Sequence, residues 1–349
     1  MIDLPRARRL VDTLCGDDCA GRRAGTPGGA RARGAVMEAL RGAGLDPRAL
    51  DAPGCGGANV VAAVPGEVDR WVVVGAHYDH LGTSPGGAVY RGADDNAAAV
   101  AALTELAHGL AVARPRGRGV LLVAFDGEEP PFYATGAMGS QQFVRAPPVP
   151  LDRIDLMISL ELLGCPIGPE GLPDEIRQTL FALGAERSEG TAPRVDALSG
   201  AAEGVTVRRA DAEVIPPLSD HLAFWEAGVP FMLLTGMRSK DYHTPRDTPE
   251  TLDWQRIGAA TRWLDAFVRD QCARPEDPVR FLKDGRDDRS TLDAMRAILA
   301  PLAPALPLAA GALRQVDALA ARLDAGGRLD APSRAAAHAL VAQIERALG

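Results

Sequence analysis

Short apolar runs alternate along most of this chain with longer stretches in which apolar side chains recur at helical spacing. The short runs, at 59–64, 71–76, 119–125, 154–160, 179–183, 205–209 and 229–234, read as strands. Helical spacing appears at 5–14, where Leu10, Val11 and Leu14 share a face, and again after Pro27. There Thr26 is a natural N-cap, Pro27 takes the first helical position and Gly44 follows the last turn. Further helices are expected at 96–111, around 218–227 with Ser219 as cap and Gly228 as terminator, and around 250–272. Strands that alternate with helices predict a parallel or mixed sheet covered by helices on both faces.

The texture changes after Cys272. The stretch 273–278, ARPEDP, reads as a linker, and the remainder is rich in alanine and leucine with helical periodicity and no β-rich run. Helices are expected at 289–299, 308–323 and 333–348. The chain therefore divides into a catalytic-type domain, 1–273, and a helical C-terminal extension, 274–349. That extension carries His338 but no cluster of carboxylates, so it is expected to be scaffold or an oligomerisation element, dispensable for chemistry.

Charge narrows the partners. With 38 basic against 46 acidic residues the net charge is −8, which argues against nucleic acid or an anionic membrane as partner. The amino terminus has no apolar core of signal-peptide length and no long apolar run occurs elsewhere, so a cytoplasmic location is expected. The cysteines, Cys15, Cys19, Cys55, Cys165 and Cys272, lack metal-knuckle spacing and are expected to be reduced structural thiols, the spacing of Cys15 and Cys19 notwithstanding.

Candidate chemistry sits at the ends of the expected strands. The stretch from Trp71 to Asn96 delivers His77 and Asp79 to a strand's carboxyl end, where open α/β sheets place their ligands. The Asp94-Asp95 pair, the Glu128-Glu129 pair, Glu161 and His243 follow other strands. Each alone has an ordinary explanation: a hydrogen-bonded histidine, a solvated acidic turn. Glu161 is the exception, because in the apolar run LMISLELLG an unpaired carboxylate bears a large desolvation cost unless a cation is beside it. Together the groups suit a two-metal hydrolytic site, in which one member of the Glu128-Glu129 pair ligates while the other moves a proton. His80 and His108 are expected to be structural, His80 because strand alternation turns it away from His77.

These motifs resemble the M28-type zinc aminopeptidases, whose catalytic domain also occurs in glutamate carboxypeptidase-like and glutaminyl-cyclase-like proteins. The matching stretches are GAHYDHLG with GADDN, AFDGEE with a later MGS, ISLELLG, SDHLAFWEAGVP and YHTPRDT, in order between Cys19 and Cys272. The resemblance implies a three-layer α/β/α sandwich around a central mixed, mostly parallel sheet, with the helical appendage added. It implies two Zn2+ per chain and a peptide substrate with a free amino terminus, while the C-terminal helices, outside the resemblance, are the expected route to any homo-oligomer.

By the same resemblance His77 binds one zinc, Asp94 bridges, Glu129 and His243 bind the other, and Glu128 is the general base. Asp79 orients His77, and Asp220 and His221 lie behind the site or face the substrate. The bond from Asp94 to Asp95 is the one expected to be cis. Two departures bear on specificity. Glu161 stands where relatives carry aspartate, and the link after the Glu-Glu pair is expanded, placing Phe132 and Tyr133 as a candidate substrate wall. The competing functions are a glutaminyl-cyclase-like acyltransferase built on one zinc and a non-catalytic binding module. The full ligand set favours the peptidase, and retention of Glu128 argues against pure binding.

Overall fold

Eight strands form a single sheet in the order β1-β2-β4-β3-β5-β8-β6-β7 in the computed structural model, which describes residues 2–217 and 219–348. They are β1 (Arg48–Ala52), β2 (Gly57–Val64), β3 (Val68–His77), β4 (Arg118–Phe125), β5 (Ile154–Glu161), β6 (Thr179–Leu183), β7 (Thr206–Ala210) and β8 (Phe231–Thr235). The four central strands β4, β3, β5 and β8 run parallel, so their carboxyl ends open on one edge of the sheet. β1 and β2 are antiparallel additions on one side, and β6 runs antiparallel to β8 on the other. The expected mixed α/β/α sandwich is present.

One sheet face is covered by α1 (Leu4–Leu14), α2 (Pro27–Gly42) and α3 (Ala98–Val112). Thr26 caps α2 by accepting from the Gly29 amide at 3.2 Å, and the helix buries Ala32, Val36 and Leu40. The opposite face carries α4 (Gly139–Arg145), whose Phe143 packs edge-on to Phe125. Short helices α5 (Asp174–Arg177) and α6 (Ala192–Ala197) follow, and α7 (His221–Glu226) joins α4, with Phe224 against Phe143. The helix expected from Leu218 thus starts at His221, and Leu218 itself lies outside the described residues. α8 (Trp254–Cys272) returns to the first face, capped by Asp253, which accepts from the Gln255 and Arg256 amides.

The linker is held rather than free. Arg118 donates to the carbonyls of Arg274, Pro275 and Asp277, and Asp155 accepts from the Val279 amide. Beyond it come α9 (Asp288–Leu299), α10 (Pro307–Ala320) and α11 (Ala331–Leu348). Leu292, Met295, Ile298, Val316, Leu340 and Ile344 of these helices enclose a second hydrophobic core. That core also takes in Ile167 and Ile176 from the sheet domain, so the extension shares its interior with the body. A buried polar seam closes the contact: Arg334 pairs with Asp211 at 2.8 Å and with Asp288 at 3.0 Å, and Asp287 pairs with Arg209.

All five cysteines are buried free thiols. No helix among the described residues is long and apolar enough to cross a membrane.

Candidate metal centre

The site assembles from the carboxyl ends of the central strands. β3 ends at His77, β5 ends at Glu161, and the turn after β4 carries Glu128 and Glu129. Asp95 comes from the tight turn that leads into α3, and His243 from the loop after β8. Each of these segments is tied at its base by a hydrogen bond. Asp79 accepts from the Glu128 amide at 3.1 Å and from the Glu129 amide at 3.2 Å, which fixes the acidic pair. Asp247 accepts from the amides of Asp94 and Asp95 at 2.8 and 3.1 Å. Arg22, wholly buried, donates to the carbonyls of Tyr78, Gly92 and Asp95, holding the loop from below.

Two groups of donors result, and they share Asp95. His77, Asp95 and Glu161 form one; His80, Asp95 and Glu129 form the other, with ligand atoms in each group within 4.8 Å of one another. His77 Nε2 lies 3.3 Å from Asp95 Oδ1 and 3.2 Å from Glu161 Oε1. On the other side His243 Nε2 sits 3.1 Å from Asp95 Oδ2 and 3.2 Å from Glu129 Oε2. Glu128 Oε2 reaches within 3.8 Å of His77 Nε2 but belongs to neither group.

Asp94 does not join them. Its carboxylate turns to the loop after β5, where Oδ1 accepts from the Gly164 and Cys165 amides at 2.7 and 3.0 Å. The residue brought between the two groups is Asp95, and the cis peptide bond lies correspondingly one step later, at Asp95-Asn96. His80, expected to face away, is instead buried with Nδ1 2.7 Å from Glu129 Oε1. Strand alternation gives no direction there, because β3 has ended at His77.

The expected substrate-facing residues divide. Tyr133 donates to the Pro217 carbonyl at 2.9 Å, and burial, then the Glu128 carboxylate, pushes its phenol pKa up. Phe132 turns the other way and packs on Ala24, Ala52 and Cys55. Asp220 is fully buried, and neither carboxylate oxygen has a hydrogen-bond partner among the described residues; burial pushes its pKa up to about 7. His221 is buried with its ring centroid 5.6 Å from that of Phe231, and burial lowers its pKa to about 3. Ser219, of the same motif, donates to Glu161 Oε2 at 2.7 Å. Asp247 and Arg22 carried no role in the sequence reading, although Asp247 lies within YHTPRDT.

The electrostatics favour a bound cation. Burial opposes charge on His77, yet Glu161 and Glu128 raise its pKa well above the ordinary histidine value. His243 is likewise opposed by burial but raised to about 10 by Asp95 and Glu129. Asp95 is held well below the carboxylate range: burial acts against this, and hydrogen bonds from His243 and His77 prevail. Glu128 goes the other way, with burial raising it well above its usual value. Carboxylates that raise the pKa of the buried His77 and the half-buried His243 make a field that also attracts divalent ions, and nitrogen with carboxylate oxygen is a zinc-type donor set. The residues fit such a pair, with Asp95 turning one carboxylate oxygen to His77 and the other to His243.

A family model for peptidase family M28 matches residues 59–268, which contain every donor named above. The chain belongs to peptidase family M28. It is 30% identical over 244 residues to the uncharacterized protein YfbL of Escherichia coli (strain K12), covering 64% of this chain and 74% of that one. In structure it is similar to LapB from Legionella pneumophila, with 18% identity, a TM-score of 0.64, and 78% and 73% of the two chains covered. It is also similar to an aminopeptidase from Aneurinibacillus sp. strain AM-1, with 14% identity, a TM-score of 0.60 and coverage of 80% and 97%. Porphyromonas gingivalis glutaminyl cyclase shares the fold at 19% identity, a TM-score of 0.61 and coverage of 77% and 99%. Membership makes the M28 chain a member of a peptidase family. The distant structural likenesses concern the fold.

Proposed function

We propose that this M28 chain is a co-catalytic dizinc aminopeptidase, acting on peptides with a free amino terminus. The observation that carries the reading is the pair of donor groups hinged on Asp95, with Glu128 close to His77 yet outside both groups. Asp95 would bridge, His77 and Glu161 would complete one site, and Glu129 and His243 the other, with His80 orienting Glu129. Two divalent ions held there would polarise the scissile carbonyl and lower the pKa of a water between them. Three ligand carboxylates and one hydroxide balance the four positive charges of such a pair, so the loaded site is close to neutral.

Glu128 takes the proton from the attacking water and passes it to the departing amine. Burial raises its pKa well above the ordinary glutamate value, so it holds a proton more firmly than an exposed carboxylate would, as a group that carries a proton from water to amine requires. Asp79 has two tasks: its carboxylate clamps the Glu128 and Glu129 amides, and its backbone carbonyl lies 3.3 Å from His77 Nδ1, where it orients the ring. The substrate's α-ammonium is cationic, and Glu128 and Glu161 are carboxylates able to accept its hydrogen bonds.

The test is a panel of aminoacyl anilides with their acetylated forms, run beside an amino-terminal glutamine peptide. Cleavage of the free forms and not of the acetylated ones is expected. Equal cleavage of both, or release of residues from the carboxyl end, contradicts the aminopeptidase reading. Cyclisation of the glutamine peptide without anilide cleavage would make the chain an acyltransferase.

A further inference from the structure

An apolar cavity of about 110 Å³ opens beside the metal centre, bordered by Glu161 and Tyr242. Tyr242 stacks on His243 with ring centroids 3.9 Å apart, so the cavity touches Glu161 directly and is linked to His243 through Tyr242. Phe181, Leu233 and Met237 of the sheet domain line one side. The other wall is not made by that domain. Ala294, Met295 and Ile298 of α9, with Val341 and Ile344 of α11, supply it. All five lie beyond residue 268, where the match to the family model ends. The apolar faces of α9 and α11 are therefore turned inward, toward the site.

We propose that α9 and α11 form the specificity wall of the active site, selecting a bulky apolar side chain on the amino-terminal residue of the substrate. This rests on the aminopeptidase reading. A cavity of this volume has room for several waters, or for one aliphatic side chain that displaces them. Its charged neighbours are Glu161, Arg238 and Glu345. Glu161 is engaged by His77 and Ser219, and the Arg238 guanidinium lies 5.0 Å from the centroid of the Tyr242 ring. Of the polar side chains that α9 and α11 bring to the cavity, Thr291 is already bonded to the Asp211 amide and the Asp287 carbonyl, and Glu345 carries negative charge; Ala294, Met295, Ile298, Val341 and Ile344 offer no partner to an amide, so a polar side chain set against them gives up its hydration uncompensated. A one-methylene change in such a pocket shifts selectivity by roughly 10–200-fold.

The experiment uses the full-length, zinc-loaded protein. Ala294→Leu fills the cavity from the α9 side and is expected to lower the ratio of leucyl to alanyl anilide turnover by at least ~10-fold. Met295→Ala enlarges it and should raise the ratio of phenylalanyl to leucyl turnover, which keeps the test open if the filled variant does not fold. Independently of turnover, protein labelled at the methionine methyls is titrated with L-norleucinol, which has the amine and side chain but no carbonyl to hydrolyse. Shifts of the Met295 and Met237 methyl resonances, absent with ethanolamine, are expected, with Met295→Leu identifying the first. If the wild type cleaves no anilide, the aminopeptidase reading falls and the methyl shifts alone decide the cavity. Unchanged turnover ratios in folded variants, or methyl resonances that ignore norleucinol, overturn the proposal.

Discussion

The metal centre and the seam that joins the C-terminal helices to the body both bury charge, but they settle it differently. At the seam each buried acid meets a guanidinium: Asp211 and Asp288 share Arg334, and Asp287 has Arg209. The charges cancel within the protein, and the surrounding core of Leu292, Ile298 and Leu340 supplies the stability. At the centre Glu128, Glu129, Glu161 and Asp95 converge, and among the described residues their ion pairs are with histidines and not with a guanidinium. Converging carboxylates repel, so this region is finished by what binds to it. One region holds the fold together, and the other is held in readiness by it, through Asp79, Asp247 and Arg22.

The sharpest way to break the comparison is to remove the seam altogether. A chain ending at Arg274 leaves Ile167, Ile176, Phe181 and Met237 uncovered. It is expected to lose cooperative thermal unfolding and to bind a hydrophobic dye. A truncated protein that melts sharply would show the extension to be an independent appendage. Next in size is Glu128→Gln, expected to keep its metals and lose at least ~10² in turnover, read by steady-state kinetics beside metal analysis. Glu129→Gln should weaken metal retention instead, and the opposite pattern would exchange the roles within the pair.

Smaller effects test the seam in place. Arg334→Ala strips Asp211 and Asp288 of a partner and is expected to cost about 3 kcal/mol in denaturant unfolding, with metal content unchanged. The smallest is a pH effect at Glu186, whose Oε1 accepts from the Ala212 amide. Burial, then Asp211, raises its pKa from 4.5 to about 7. The folded state thus binds this proton more tightly than the unfolded chain does. Its contribution is complete below the unfolded value and is lost as pH rises through about 7. Melting temperature should therefore fall between pH 5 and pH 8, and Glu186→Gln should flatten that slope; an unaltered slope would assign it to other groups.

Much of the candidate centre was legible because histidines and carboxylates are conspicuous at strand ends: His77 and Glu161 close β3 and β5, Glu128 and Glu129 follow β4, and His243 lies in the loop after β8. What adjacency concealed was the choice between Asp94 and Asp95. Two neighbouring aspartates look alike in sequence, and only the path of the turn, held by Asp247, decides which one reaches inward. His80 turns toward Glu129, a direction that strand alternation does not give because β3 ends at His77. The edge strand β1, with its sequence RALDA, lacks the β-branched run that marks a strand and is fixed by pairing with β2. The inward face of the extension was the least visible feature, since amphipathic helices announce that they pack but not what they pack against.

The central claim is that Asp95, and not Asp94, joins the two halves of a dizinc centre, and metal content tests it most directly. Purified protein is loaded with zinc, dialysed gently and assayed by plasma mass spectrometry beside Asp95→Ala and Asp94→Asn. The account predicts about two equivalents in the wild type, little or none in Asp95→Ala, and near wild-type content in Asp94→Asn, whose side-chain oxygen can still accept from the Gly164 and Cys165 amides. Retention of both metals by Asp95→Ala, with their loss from Asp94→Asn, would contradict it.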